Sequence, residues 1–210
     1  MPDKLYICKK ITGPININGK VNKPVWRKTK AITDFETPWQ IPKDLRQKTE
    51  CRLCYDDNYL YVGFLAHDID IRFLERKYRD NVCLDDVVEI FINPFPKDIG
   101  YYGFEVNAGG YFLDYKMAFY RRYFSFWRAR GFKTKTFIKQ GKFFSCEMAI
   151  PFAALKRYPN KGELWKMGVY RIDYNIVKGV RTEEYQVWKN SGNKTPDFHR
   201  AKSFGLLKFQ

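Results

Sequence analysis

Thr49-Glu-Cys-Arg-Leu-Cys-Tyr55, Asp56-Asp-Asn58 and Tyr59-Leu-Tyr-Val-Gly-Phe-Leu-Ala-His67 form one continuous stretch, and its reading decides the fold. Two strand-like runs flank three turn-forming residues, which is the signature of a β-hairpin. The second run is apolar on both faces from Tyr59 to Leu65, so it belongs in the middle of a sheet, covered on each side. The same pattern recurs outward from it. Asp85–Asn93 (DDVVEIFIN) closes at Pro94, Tyr101–Ala108 and Tyr111–Met117 flank Gly109-Gly110, and Gly131–Lys139 and Lys142–Ile150 flank Gln140-Gly141. Glycine supplies positive φ at no steric cost, as such turns require. Trp165–Tyr174, Glu183–Lys189 and Phe204–Phe209 complete the strands, and helix signals are confined to Pro24-Val-Trp26 and Pro151-Phe-Ala-Ala-Leu155. The expectation is an all-β protein: an antiparallel β-sandwich of jelly-roll type with short helical turns only. No linker, repeat or boundary interrupts the pattern, so residues 1–210 read as a single domain.

The chain of 210 residues contains 18 Phe, 15 Tyr and 5 Trp, an apolar load that excludes disorder. Its 38 Lys and Arg against 23 Asp and Glu give a formal net charge of +15. A basic surface of this kind suits nucleic acid, anionic glycan or acidic lipid, or simply keeps a protein soluble. No apolar run approaches the roughly 20 residues that span a bilayer, so no membrane partner is expected. Nor does the start resemble a secretory signal, which predicts a cytosolic protein, or an extracellular one if an export signal has been removed. Five cysteines suggest no paired framework. Cys51 and Cys54 have C-x-x-C spacing, but no second close Cys/His pair completes a zinc site, and an offset of three puts them on opposite faces of a strand. They read as reduced, buried thiols. The only histidines, His67 and His199, lie far apart and make a weak metal case. There is no phosphate-binding glycine loop and no G-x-S-x-G elbow, which excludes nucleotide and α/β-hydrolase chemistry.

Isolated charges inside apolar strands carry the functional information: Glu89, Glu105, Glu147 and Arg171. Period-two alternation places Glu89 with Val87 and Phe91, and Glu105 with Tyr101, Gly103 and Asn107. If those strands are neighbours, the two carboxylates converge on one groove. Two readings then stand: a glycoside hydrolase using Glu89 and Glu105 as an acid and nucleophile roughly 5 Å apart, or hydrogen bonding to hydroxyls without chemistry, with Arg171 as a partner. Stacking planes for a hydroxyl-rich ligand are available at Trp39, Trp127, Trp165, Trp188 and Phe198, of which Trp165 reads as core. The segment 119–135 interleaves aromatics with Arg121, Arg122, Arg128, Arg130, Lys133 and Lys135. Such interleaving suits single-stranded nucleic acid, an anionic polymer or an anionic sugar. No RNP, helix-turn-helix or zinc-finger pattern accompanies it, so nucleic acid is disfavoured.

Read in order, Ile15-Asn-Ile-Asn-Gly19 with Trp26, the DDNYLYV hairpin, DDVVEIFI at 85–92, Tyr101-Tyr-Gly-Phe-Glu-Val-Asn107 and Phe198-His-Arg-Ala-Lys-Ser-Phe-Gly-Leu206 resemble the family 9 carbohydrate-binding modules. Those modules occur attached to xylanases and as stand-alone proteins. The resemblance runs from about Ile15 to Phe209 and implies a β-sandwich that binds oligosaccharide or polysaccharide, or a small sugar, without cleaving it. In the family the ligand is the reducing end of a glucan or xylan chain, or a small sugar, held between two tryptophans. Calcium is structural there, which allows a calcium ion here while the binding itself requires no cofactor. Glu89 matches a sugar-contacting glutamate of the family's D-x-V-E strand. The first tryptophan position falls near Cys83, where no aromatic stands, the second near Phe198, and a family arginine falls at about Glu105. Tyr78, Trp127 or Trp188 would have to supply the missing plane. The expected sugar-binding set is Glu89, Glu105, Arg171, Phe198, Trp188, Trp127 and Asn107, with no catalytic residue.

Overall fold

The computed structural model describes residues 4–39, 46–124 and 126–210, arranged as two β-sheets packed face to face. The hairpin that opens the sequence reading forms β3 (Thr49–Tyr55) and β4 (Tyr59–His67), and its turn is tied by the Asp56 carboxylate, which accepts the Asn58 and Tyr59 N–H groups at 2.8 and 2.7 Å. With β10 (Phe143–Pro151), β9 (Lys133–Lys139) and the short β2 (Ala31–Ile32), it makes the first sheet. The second sheet runs β8 (Arg122–Tyr123), β7 (Phe112–Phe119), β6 (Tyr101–Asn107), β5 (Val87–Asn93) and β11 (Leu164–Val177). The far edge of the long β11 is shared end to end by β13 (Gly205–Phe209) and β12 (Val180–Val187).

The strand β1 (Leu5–Lys10) joins the two sheets. Its Leu5–Cys8 portion pairs with β13 and its Lys9–Lys10 portion with β3, both in parallel. The sandwich is therefore mixed at this seam rather than wholly antiparallel. Two single-turn helices, α1 (Pro24–Arg27) and α2 (Phe152–Leu155), fall at the two proline signals.

Alternation along the strands divides the side chains into three layers. Leu53, Val62, Phe64 and Met148 from the first sheet meet Ile90, Phe104, Val106 and Val169 from the second, and this filling is fully buried. Each such side chain contributes roughly 1.5–3 kcal/mol on removal from water. Cys51 lies in this middle layer and Cys54 on the outer face of the first sheet, and all five cysteines are free thiols.

Each outer face has its own covering. On the first sheet the chain from Ile15 to Trp26 lies across β4 and β10, and Trp26 sits flat where Gly63 offers no side chain; a Cβ there would come within 3.2 Å of the indole. On the second sheet the residues Val87, Phe91, Tyr101, Tyr115, Met117, Tyr170 and Ile172 are covered in part by Phe198 and Phe204. Here too glycine creates the room. A Cβ on Gly103 would lie 2.2 Å from the Tyr115 ring, and one on Gly168 2.3 Å from the Tyr170 hydroxyl, so Tyr115 folds down over the neighbouring strand β6 and Tyr170 back along its own strand β11.

Candidate functional site

Glu89 and Glu105 stand directly opposite one another on the paired strands β5 and β6. Residues so placed have Cβ atoms about 4.5–5.5 Å apart. Alternation sends both to the outer face of the second sheet, where they form the floor of a cavity of about 340 Å³. The walls come from the sheet's two flanks. Tyr123 of β8 rises on one side, edge-on to Tyr115 at 5.3 Å, and Tyr185 of β12 on the other, edge-on to Trp39 and to Phe198. The loop Pro196–His199 and the turn at Cys83-Leu84 close the remaining sides. Two tyrosines thus flank a pair of carboxyl groups.

Burial sets the protonation of the floor. It pushes the Glu89 carboxyl well above the usual range, and the neighbouring Glu105 charge adds to the shift. The Glu105 carboxyl is pushed up to about 7 by burial, against the opposing effect of the Tyr115 hydroxyl, which donates to it at 2.8 Å. Two buried acids so close cannot both ionise near neutrality, so the pair retains at least one proton. It then offers an O–H donor beside a carboxylate acceptor. A sugar hydroxyl, which both donates and accepts, is complementary to that arrangement. The same burial, with the Glu89 and Glu105 charges behind it, pushes the Cys83 thiol up to about 12.

The loop wall is positioned by Asp197, which accepts the His199 N–H at 3.0 Å and the Tyr120 hydroxyl at 3.1 Å and pairs with Arg121 and Arg200. His199 lies stacked on Phe91 with ring centres 5.4 Å apart, and its Nδ1 shares a 2.6 Å hydrogen bond with the Tyr101 hydroxyl. Burial, reinforced by the nearby Arg121 charge, pulls this imidazole down to about 4, so it is neutral over the physiological range.

Of the residues singled out from the sequence, the structure brings together Glu89, Glu105 and Phe198. Phe198 is almost fully buried and stacks on Tyr170 at 4.3 Å and 8°, so one face of its ring is covered and it closes the wall rather than standing as an open plane. Arg171 does not face this pocket. It shares its parity with Val169, points between the sheets, and pairs there with Asp68 and Asp173, each at 3.1 Å. Asn107 is a structural residue of the β6–β7 turn, accepting the Tyr111 N–H and donating to Asp85. Trp188 lies in the middle layer above Gly205, and Trp127 packs on Tyr102 at the far side of the sheet. Tyr78 donates to Asp114 and rests edge-on against Phe112. Sequence reasoning missed Tyr123 and Tyr185. The alternation Tyr185-Gln-Val187 carried the signal, but only the pairing of Tyr185 with Ile172 assigns its face.

Asp68, Asp86 and Asp173 gather at the edge of the middle layer with carboxylate oxygens within 4.8 Å of one another, which is the arrangement to test against the calcium ion implied by resemblance. Calcium takes 6–8 oxygen ligands. Here Asp68 accepts the Asp70 N–H, Asp86 accepts the Tyr174 and Arg72 N–H groups, and the Arg171 guanidinium already stands between Asp68 and Asp173. Asp173 Oδ1 is buried without a hydrogen-bond partner, but the Arg171 guanidinium, 3.1 Å from both Asp68 and Asp173, already places a cation among the three acids, so the cluster does not fit a calcium ion. With three acids around one arginine, burial and mutual repulsion push Asp86 up to about 8 and Asp68 up to about 6.

Fold and pocket together define a β-sandwich with a candidate site on one outer face. A family model for carbohydrate family 9 binding domain-like proteins matches residues 17–210, and the chain belongs to that family. No match was found among curated proteins. Three solved structures share the fold. A candidate carbohydrate-binding protein from Bacteroides uniformis aligns over 100% of both chains with 20% identity and a TM-score of 0.81. A family 9 carbohydrate-binding module from Caldicellulosiruptor kristjanssonii in complex with cellotriose aligns over 99% of this chain and 94% of its own, with 18% identity and a TM-score of 0.71. A family 9 module from the same organism in complex with glucose aligns over 99% of this chain and 96% of its own, with 19% identity and a TM-score of 0.69.

Proposed function

We propose that the chain binds a glucan- or xylan-type oligosaccharide, or a small sugar, in the pocket above Glu89 and Glu105, without cleaving it. The observation that carries this reading is the cross-strand carboxyl pair flanked by Tyr123 and Tyr185. Tyrosine faces suit the apolar face of a sugar ring, while the carboxyl pair takes hydroxyls at its edge. A terminal sugar unit suits a pocket of this size, which is at the lower end of ligand cavities. Family membership supports the sugar, and with Arg171 engaged elsewhere the charged residues of the pocket are the two glutamates and the Arg121–Asp197 pair.

The paired carboxyls also invite a hydrolytic reading, since retaining glycosidases use two such groups. That chemistry requires one ionised nucleophile beside a protonated acid, which is also the state that burial gives this pair, so protonation does not separate the two readings and turnover does. One pair of measurements separates the readings. Calorimetric titration with glucose and cellotriose should give saturable heat for the native chain and at least a tenfold loss of affinity for Glu89→Ala, as for removal of a charge-assisted bond. A chromogenic glycoside should release no chromophore. Turnover that vanishes in Glu89→Gln would establish the enzyme instead.

A further inference from the structure

Beside the pocket, at the edge strand β8, lies a second groove of about 520 Å³ and different chemistry. It is lined by Lys116, Phe119, Arg122, Phe124, Phe126 and Trp127, with no acidic residue, and it meets the pocket at Tyr123, which lines both. Its aromatics are unusually open. Phe126 is 96% exposed, and Phe119, Tyr120, Tyr123 and Phe124 are each about half exposed. Large rings left in water side by side mark a binding surface. The charge is equally one-sided. From Tyr115 to Lys139 the sequence contains Lys116, Arg121, Arg122, Arg128, Arg130, Lys133, Lys135 and Lys139 and not one Asp or Glu. Ser125, inside this segment, lies outside the described residues.

The cations at the groove differ from the others in that segment. Arg121 is paired with Asp197, and Arg128 lies over the Tyr78 ring. Lys116 instead reaches across the rings of Tyr102 and Phe124, its ammonium 5.4 and 4.9 Å from their centres, and Arg122 is exposed with no ion pair among the described residues. Neither is consumed by a carboxylate of the chain itself.

We infer that this groove is a second subsite for an acidic sugar unit, so that the preferred ligand is an oligosaccharide with a neutral unit in the pocket and a uronate in the groove. The inference rests on the sugar reading of the pocket. An exposed ring next to a lysine and an arginine matches a uronate, which presents an apolar ring face and one carboxylate at its edge. The adjoining floor explains why the acidic unit belongs in the groove: Glu89 and Glu105 would repel it. Nucleic acid fits less well. It needs a basic track that follows successive phosphates, whereas this groove is short and ends at an acidic pocket.

The test compares two probes on the full chain: cellotriose, and the same trisaccharide with its non-reducing glucose oxidised at C6 to glucuronate. At low salt the uronate should bind about fivefold to tenfold more tightly, as two partly exposed ion pairs allow, and the gap should close at high salt. Lys116→Gln combined with Arg122→Gln should abolish the gap while cellotriose affinity stays unchanged. Equal affinity for the two probes, or a gap that survives the double variant, overturns the acidic subsite and leaves the pocket reading intact. Failure of both probes to bind removes the pocket reading and this one with it. A single-stranded oligonucleotide that binds more tightly than the uronate, with loss in the double variant, would assign the groove to nucleic acid instead.

Discussion

Both outer faces of this sandwich carry buried glutamates on central strands, and they are used in opposite ways. On the first sheet, Glu147 of β10 is fully enclosed and satisfied: it accepts N–H groups from Asn18 and Gly19, each at 2.9 Å, the Trp26 indole at 2.7 Å and the Lys23 ammonium at 2.5 Å. One carboxylate there clasps a whole segment, and the face is sealed. On the second sheet, Glu89 and Glu105 oppose each other with a tyrosine hydroxyl as the bond made to Glu105, and a cavity lies above them. A buried charge whose bonds are all made within the chain is structural. One set against another acid beneath a cavity is held at a cost in stability, which marks it as a candidate for function.

The contrast can be broken most forcefully at Glu147. Replacing it with Ala should cost about 3–5 kcal/mol, since it strands Lys23, the Trp26 N–H and two backbone donors. Denaturant unfolding measures that loss, while the sugar affinity of the protein that remains folded should be unchanged. Glu89→Gln should do the reverse. It removes a buried acid that repels Glu105, so the midpoint of thermal unfolding should hold or rise at pH 8, while sugar affinity falls about tenfold. Comparable loss of stability in the two variants would erase the distinction between the faces.

The pH dependence sharpens the same point. Glu105, at about 7, and Asp86, at about 8, are raised by burial above their unfolded values, so the folded chain binds more protons than the unfolded one between those limits. Stability should therefore fall as pH rises from about 6.5 to 8.5. His199, lowered to about 4, acts in the opposite direction only below its unfolded value near 6.5, and so does not offset the loss in that window. A thermal midpoint that is flat or rising from pH 6.5 to 8.5 would show that these carboxyls are ionised in the folded chain.

Much of this was legible in the sequence because it is local. Period-two alternation and turn residues gave the three hairpins, and the parity of Glu89 and Glu105 placed them on one face before their strands were known to pair. What was not legible depends on contacts between distant segments. The parallel seam of β1 joins the first residues to β13 at the other end of the chain. Arg171 looked like a ligand-facing charge because its partner Asp68 stands 103 residues away, across the two sheets. Tyr123 and Tyr185 were lost among many tyrosines, since only the sheet order sets one on each flank of the carboxyl pair. Trp188 had the right chemistry for stacking but is buried in the middle layer, whereas Trp127 packs half-buried against that layer and lines the second groove.

The central claim is that the open face of the second sheet, and not the sealed face of the first, is where sugar binds. Amide chemical-shift mapping during titration with cellotriose tests this directly. Shifts should concentrate at residues 83–84, 89, 105, 123, 185 and 196–199, with residues 15–27 and Glu147 unmoved. Shifts centred on Trp26 and Glu147, or no saturable shift anywhere with the sugar in excess, would contradict the account.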